Sequence, residues 1–199
     1  MAKEHAIYEA GNPVLYTIGY GQRSLEALVG LLRRYEIRRL IDVRSAPYSR
    51  FKPEFSREPL ALELERQGVA YEFMGDTLGG QPRDPACYTD GKVDYDKVRA
   101  QPCFGLGLDR LQALLSQPGK LVLMCSEARP EECHRSKLIG EAAGARQIEV
   151  RHIDADDLLL TQAQTISRLT GGQLELFGGP SFTSRNRYRP TLGGKRRPQ

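Results

Sequence analysis

Apolar residues follow two alternating rhythms along the chain. Short runs rich in β-branched, aliphatic or aromatic side chains at 14–18, 39–43, 69–74, 120–125 and 148–153 predict five strands. Between them apolar positions recur at the helical period. Leu25, Leu28, Val29, Leu32 and Tyr35 follow a capping Ser24, and further helices are expected over 60–66, 106–115, from Pro130 to about Ala143, and over 156–169. The run Lys-Leu-Val-Leu-Met-Cys at 120–125 is apolar on both faces, as a central strand must be. Regular strand–helix alternation predicts an α/β fold: a three-layer, Rossmann-like parallel sheet of about five strands with helices on both faces. Residues 14–170 form this single domain, after an N-terminal extension at 1–13. The stretch 75–94 holds four glycines and two prolines and reads as a long covering loop, from which Arg83 can close over a ligand.

In such folds ligands bind beyond the carboxyl ends of the strands, so the residues there should be chemically unusual. Gly19, Tyr20 and Gly21 follow the first run, Asp42 and Arg44 end the second, and Gly75, Asp76, Gly79 and Gly80 follow the third. Cys125, Ser126 and Glu127 end the fourth, with Cys133, His134 and Arg135 just beyond, and His152 and Asp154 end the fifth. Each has a bland explanation, such as a turn cap or a small buried thiol. Their coincidence at five strand ends points to a pocket.

The segment from Cys125 to Arg135 is the richest. A thiol at a strand end, facing a helix amino terminus, is placed to ionise. His134 can serve it as base or as general acid, Glu127 can orient or share a proton, and Arg135 can grip phosphate or carboxylate. Asp42 and Arg44 supply a supporting shell. Several patterns fail on spacing. A Cys-x5-Arg phosphate loop needs arginine at 131, where Glu131 stands; neither a Walker sequence nor G-x-G-x-x-G occurs. Cys125, Cys133 and His134 match no common zinc spacing, so no metal is expected, and no cofactor is identified. A purely structural role for the segment is the competing reading. In the loop after the second strand, Arg44, Ser49, Arg50 and Lys52 interleave with Tyr48 and Phe51. That mixture suits a phosphate ester or an exposed base, with Tyr20, Cys133, Ser49 and Arg50 as candidate substrate contacts. An ordinary solvated loop is the alternative.

Thr17-Ile-Gly-Tyr20, Asp42-Val-Arg44 with Pro47 and Ser49, Leu78-Gly-Gly80, and Cys125-x-Glu127 leading to Cys133-His-Arg135 together resemble the domain-of-unknown-function family 488. The resemblance spans about residues 14–155. It implies a bacterial or archaeal α/β domain in which these positions form the family's shared site, and it supplies no reaction. Tyr20-Gly21 stands where many members have His-Ser or Tyr-Glu-Gly, so a histidine base at 20 is missing here.

Composition bounds the class. The chain has 199 residues, 40% of them hydrophobic and 27% charged, which is ordinary for a globular domain. No apolar run approaches the roughly 20 residues of a membrane helix, and no signal-peptide core follows Met1. Irregularly spaced cysteines in a chain this long suggest reduced thiols in the cytoplasm. The net charge of +4 is unevenly placed. No acid follows Glu175, while Arg185, Arg187, Arg189, Lys195, Arg196 and Arg197 crowd the end and leave the body slightly acidic. Residues 171–199 therefore read as a flexible tail, its basic arm suited to DNA phosphates. Within it Gln173, Leu174, Leu176 and Phe177 resemble the pentapeptide that docks bacterial proteins on the DNA sliding clamp. Packing of those apolar residues on the domain's own surface is the alternative. Two classes of function follow. One is a DNA- or nucleotide-associated enzyme with a Cys/Glu/His/Arg site and an anionic ligand. The other is a non-enzymatic adaptor in replication or repair; a small-molecule enzyme unrelated to DNA is the third possibility.

Overall fold

The computed structural model describes residues 13–172 and 181–188. The first half runs β1 (Val14–Gly19), α1 (Leu25–Arg34), β2 (Ile37–Asp42), α2 (Arg57–Arg66), β3 (Ala70–Phe73), β4 (Tyr88–Thr89) and β5 (Lys92–Asp94). It continues with α3 (Tyr95–Arg99), α4 (Pro102–Leu115), β6 (Lys120–Cys125), α5 (Glu141–Ala145), β7 (Glu149–Ile153), β8 (Leu159–Thr161), α6 (Gln162–Thr170) and β9 (Thr183–Arg187). The main sheet has the order β3-β2-β6-β1-β7-β8. Its first five strands are mutually parallel and β8 is antiparallel at the edge. This is the expected α/β architecture with one strand more than anticipated.

Alternation along the strands divides the core into two layers. Ile18, Leu40, Val122, Met124 and Ile153 face α1 and α2, meeting Leu28, Leu32, Leu60 and Leu64. Leu15, Ile41, Leu121, Leu123 and Val150 face the other way, toward Phe104, Leu108 and Leu111 of α4 and Ala142 and Ala143 of α5. Ser24 caps α1 as its side-chain type predicts, accepting from the Ala27 amide. Among the described residues no helix is long and apolar enough to cross a membrane.

Three expectations are corrected. The helix expected from Pro130 to Ala143 is broken. A single tight turn at 130–132 gives way to an extended Cys133 (φ −104°, ψ 152°), then to wide π-type turns over Arg135–Gly140 before α5. The helix expected over 156–169 starts only at Gln162. The Asp154 carboxylate accepts from the amides of Asp156 and Leu158, which holds a turn there, and β8 follows before the Thr161–Gln164 capping box opens α6.

The third correction concerns the loop at 75–94 and the arm. The loop contains a hairpin: β4 and β5 join through Asp90-Gly91, both at positive φ as a tight two-residue turn requires. Residues 181–188, expected to belong to a free tail, complete a second sheet of order β4-β5-β9. The Phe182 carbonyl accepts from the Tyr95 amide, Ser184 Oγ from the Val93 amide, and the Thr183 carbonyl from Lys137 Nζ at 3.2 Å. Phe182 is 7% exposed and packs against the cluster containing Tyr95 and Val98. Residues 173–180 and 189–199, including the clamp-like pentapeptide and most of the basic arm, lie outside the described residues.

Replacing Phe182 by alanine is expected to cost about 3–5 kcal/mol in a denaturant titration of the full chain, as truncation of a buried aromatic does. An unattached arm predicts no change.

Candidate functional site

β6 lies between β1 and β2, with Cys125 opposite Gly19 and Met124 opposite Asp42. The ladder continues past the strands: Tyr20 and Gly21 donate to the carbonyls of Cys125 and Ser126, and Val43 donates to Met124. Three loops therefore leave the sheet side by side at its carboxyl edge.

Four side chains converge there. Cys125 Sγ lies 2.7 Å from Glu127 Oε2 and 3.7 Å from His134 Nδ1. Cys133 Sγ lies 3.3 Å from the same carboxylate oxygen and 3.6 Å from the same ring nitrogen. One donor atom from each of the four residues falls within 4.8 Å of the others. His134 Nε2 sits 3.1 Å from the Val43 carbonyl, which can only accept, so this nitrogen carries a proton. The extended Cys133 makes the convergence possible, because a continuous helix would not turn both its sulfur and the next imidazole toward β6. Gly80 closes the other side of the ring: a Cβ there would stand 2.6 Å from His134 Cγ.

The cluster is electrostatically polarised. The Cys125 thiol is pushed well down, first by the hydrogen bond from Cys133 and then by His134, against the opposing effect of burial. Burial and the Cys125 charge push the Cys133 thiol up. Burial and Cys125 also raise Glu127, while the Cys125 charge raises His134 against its burial. A 2.7 Å contact between a sulfur and a carboxylate oxygen needs a proton between them, so Cys125 and Glu127 share a hydrogen bond.

A cavity of about 150 Å³ opens onto this cluster. Cys125, Ser126, Glu127 and His134 line it together with Tyr20, Arg44, Tyr48 and, from the second sheet, Ser184, Arg185 and Tyr188. Arg44 is held by Asp42, which accepts from its Nε at 2.9 Å and its Nη2 at 2.6 Å and also receives the Tyr71 hydroxyl. Arg44 Nη1 has no partner among the described residues. Tyr20 is fixed by stacking on Phe55, with centroids 4.3 Å apart. Arg185 pairs with Glu132 on the cavity wall.

The family model described as "Domain of unknown function DUF488" matches residues 24–141, more than half of the chain. The chain belongs to this family. No curated protein and no solved structure matches it. The DUF488 match includes Asp42, Arg44, Gly80 and all of 125–135, and leaves β1, β7 and β9 outside.

Within this DUF488 domain several candidates take other places than the sequence suggested. Asp42 is fully buried and touches Arg44 and Tyr71 rather than the cavity, so it positions Arg44. Arg135 is 0% exposed and does not line this cavity; its Nη2 donates to the Ala128 carbonyl and its amide to Cys133 Sγ. Cys133 lies behind Cys125, buried and off the cavity wall. Ser49 braces its own loop, its amide donating to Ser56 Oγ and its Oγ accepting from the Lys52 amide, while Arg50 lies exposed over Phe51. Arg83 lines a separate depression with Phe73 and Phe104. The residues missed are Arg185 and Tyr188, which the sequence places in the tail, and Tyr95, which directly follows the covering loop. The Asp90-Gly91 turn between Tyr88-Thr89 and Lys92-Val93 was the available signal.

His152 belongs to a separate buried chain. Its Nδ1 meets Thr17 Oγ1 at 2.7 Å and its Nε2 meets Gln162 Oε1 at 2.7 Å, tying α6 to the sheet. Burial pushes its pKa down to about 4. The unfolded chain protonates this ring near pH 6.5 and the folded one only near 4, so stability is full above 6.5 and falls as pH drops through that window. The loss is expected to reach about 3 kcal/mol by pH 4, with the pH slope reduced in His152→Gln. Stability curves at pH 7, 5.5 and 4 measure it.

Gly80→Ala forces its methyl into the His134 ring and is expected to cost about 1–3 kcal/mol by thermal or denaturant unfolding. Gly30→Ala, on α1 with nothing within 4 Å of the added carbon, should be neutral or slightly stabilising in the same assay.

Proposed function

We propose that the protein is an enzyme acting on a small phosphate-bearing substrate, a nucleotide or nucleotide fragment, with Cys125, Glu127 and His134 as its reacting centre. The observation that carries this reading is the cavity itself. Its floor is an electron-rich sulfur hydrogen-bonded to a carboxyl group, and its wall carries two guanidinium groups and several tyrosines. Arg44 offers an unpaired Nη1 to an anionic oxygen, held rigid by Asp42. Tyr48, 74% exposed at the rim, offers a face on which a base can stack. A volume of about 150 Å³ takes the reacting end of such a molecule and leaves the remainder at the rim. Glu127 is placed to hand a leaving group its proton, since burial and Cys125 push its pKa above the usual carboxylate range. Four unpaired thiols fit a reducing compartment such as the cytoplasm.

Recruitment to DNA is the tail's share of this reading and rests on sequence alone. Gln173, Leu174, Leu176 and Phe177 would dock on the sliding clamp, and the cations from Arg189 onward would meet phosphate. Arg185 is engaged with Glu132 on the cavity wall and is assigned to the substrate instead.

The test is turnover of a panel of nucleotides, nucleoside phosphates and damaged oligonucleotides by the full chain, read by mass spectrometry. Cys125→Ser and Glu127→Gln should each lose about 100-fold or more in kcat, and Arg44→Gln should chiefly raise KM. Undiminished turnover in both of the first two variants removes the assignment. Absence of turnover, with clamp binding that depends on Gln173 and Phe177, replaces the enzyme with an adaptor.

A further inference from the structure

We propose that Cys125, Cys133, His134 and Glu127 bind one zinc ion, so that the two sulfurs act as metal ligands. The inference rests on the reading of this cluster as the reacting centre and names the cofactor it uses. Tetrahedral zinc, with bonds of about 2.0–2.3 Å to nitrogen, oxygen and sulfur, sets its ligand atoms roughly 3.3–3.8 Å apart. The sulfur–nitrogen separations are 3.7 and 3.6 Å, and that from Cys133 Sγ to Glu127 Oε2 is 3.3 Å. The fourth contact, Cys125 Sγ to Glu127 Oε2 at 2.7 Å, is a hydrogen bond whose proton the ion would displace. The remaining pairs also lie within 4.8 Å. Two sulfurs, an imidazole and a carboxylate are a donor set suited to zinc.

Two observations outside the four donors point the same way. The first is the imidazole's orientation. Val43 O accepts from His134 Nε2, which in the neutral ring leaves Nδ1 as a bare lone pair aimed at both sulfurs. The second is Arg135, wholly buried next to the cluster, with Nε and Nη1 unpartnered among the described residues and its amide donating to Cys133 Sγ. Two thiolates and a carboxylate around a divalent cation carry one net negative charge, which this guanidinium offsets. On binding, the ion takes the places of the Cys133 thiol proton and of the proton between Cys125 and Glu127, and both leave to solvent. The spacing Cys-x-Glu-x5-Cys-His matches no common zinc pattern because the ligands come from a strand end and an interrupted helix.

The four donors are not equivalent. Cys125, Cys133 and His134 are buried, whereas Glu127 is partly exposed and lines the cavity. Glu127 is therefore the ligand a substrate oxygen or water reaches first, and its exchange would leave three protein ligands and one open position, as a catalytic zinc site keeps.

The experiment uses the full chain, purified in reducing buffer without chelator. Elemental analysis should find about one zinc per chain, and Cys125→Ser and Cys133→Ser should each lose it. Because those variants can fold poorly, cobalt provides the second readout. Cobalt(II) added to the chelator-stripped protein should give thiolate-to-metal charge-transfer absorption and intense tetrahedral bands, and zinc should displace it with Kd of about 100 nM or tighter. Metal-free protein whose cobalt spectrum lacks those bands, or zinc retained in a folded Cys125→Ser/Cys133→Ser variant, overturns the proposal. The two readings fail separately. Turnover that depends on Cys125 in a protein without metal sinks the zinc site and leaves the enzyme, with the sulfur as nucleophile. A filled zinc site with no turnover of any substrate does the reverse.

Discussion

The position of β6 decides where every reactive group stands. Its residues from Leu121 to Met124 are at most 1% exposed, two facing each helical layer, so the strand is apolar on both sides. A slip of one residue would turn Leu121 and Leu123 toward α1 and α2 and reverse every contact of Val122 and Met124. The register opposite Gly19 and Asp42 is correspondingly fixed, and with it the height of Cys125 at the sheet's edge. Because β6 is inserted between β1 and β2, the loops carrying Tyr20 and Arg44 leave on either side of it. An apolar strand thereby delivers one polar atom to a defined point.

The rest of the site depends on interrupted regularity. Cys133 leaves helical geometry at the point where the cluster needs its sulfur, and the π-type turns after it keep Arg135, Ser136 and Lys137 buried. Those polar groups are bonded in part: Ser136 Oγ donates to the Pro130 carbonyl at 2.5 Å, and Lys137 reaches the Thr183 carbonyl of β9. The second sheet is thus anchored through the same broken helix that supplies two of the four cluster residues. Segments 91 positions apart are tied by the Val93 amide donating to Ser184 Oγ, and Ser184 lines the cavity.

What the sequence made legible follows from these physics. Five parallel strands and most helices were readable because their apolar spacing is dictated by burial on one or two faces. Cys125, Glu127 and His134 were readable as a group because strand ends in this architecture collect chemistry. The break at Cys133 was not, since 130–143 carries good helix formers and only tertiary contacts favour the extended residue. Nor was β9, where the polar run Thr183–Arg187 buries only Ser184 well and pairs with a strand of three residues. Its neighbour Phe182 looks like an isolated apolar residue in a basic tail until the hairpin it covers is seen. Arg135 was read as a ligand contact because arginine beside a reactive thiol usually is one. Its burial reverses that assignment.

That burial carries a physical consequence for the whole motif. A guanidinium removed from water without a fixed partner costs several kcal/mol unless negative charge lies nearby. Burial pulls Arg135 below its ordinary range, and the attractions opposing it come from Cys133, Cys125 and Glu127. Its amide holds Cys133, and its Nη2 holds the Ala128 carbonyl just past Glu127. Arg135 therefore belongs to the cluster electrostatically although it never reaches the cavity: it is tolerated because the cluster is anionic, and it helps to keep it so. Removing the Cys125 charge while leaving Arg135 in place strands a buried cation; removing Arg135 leaves the anionic cluster without its counter-charge and the turn at Ala128 without its donor. The Cys-x-Glu and Cys-His-Arg halves of the segment are thus one unit, with electron-rich atoms toward the cavity and the compensating charge behind them.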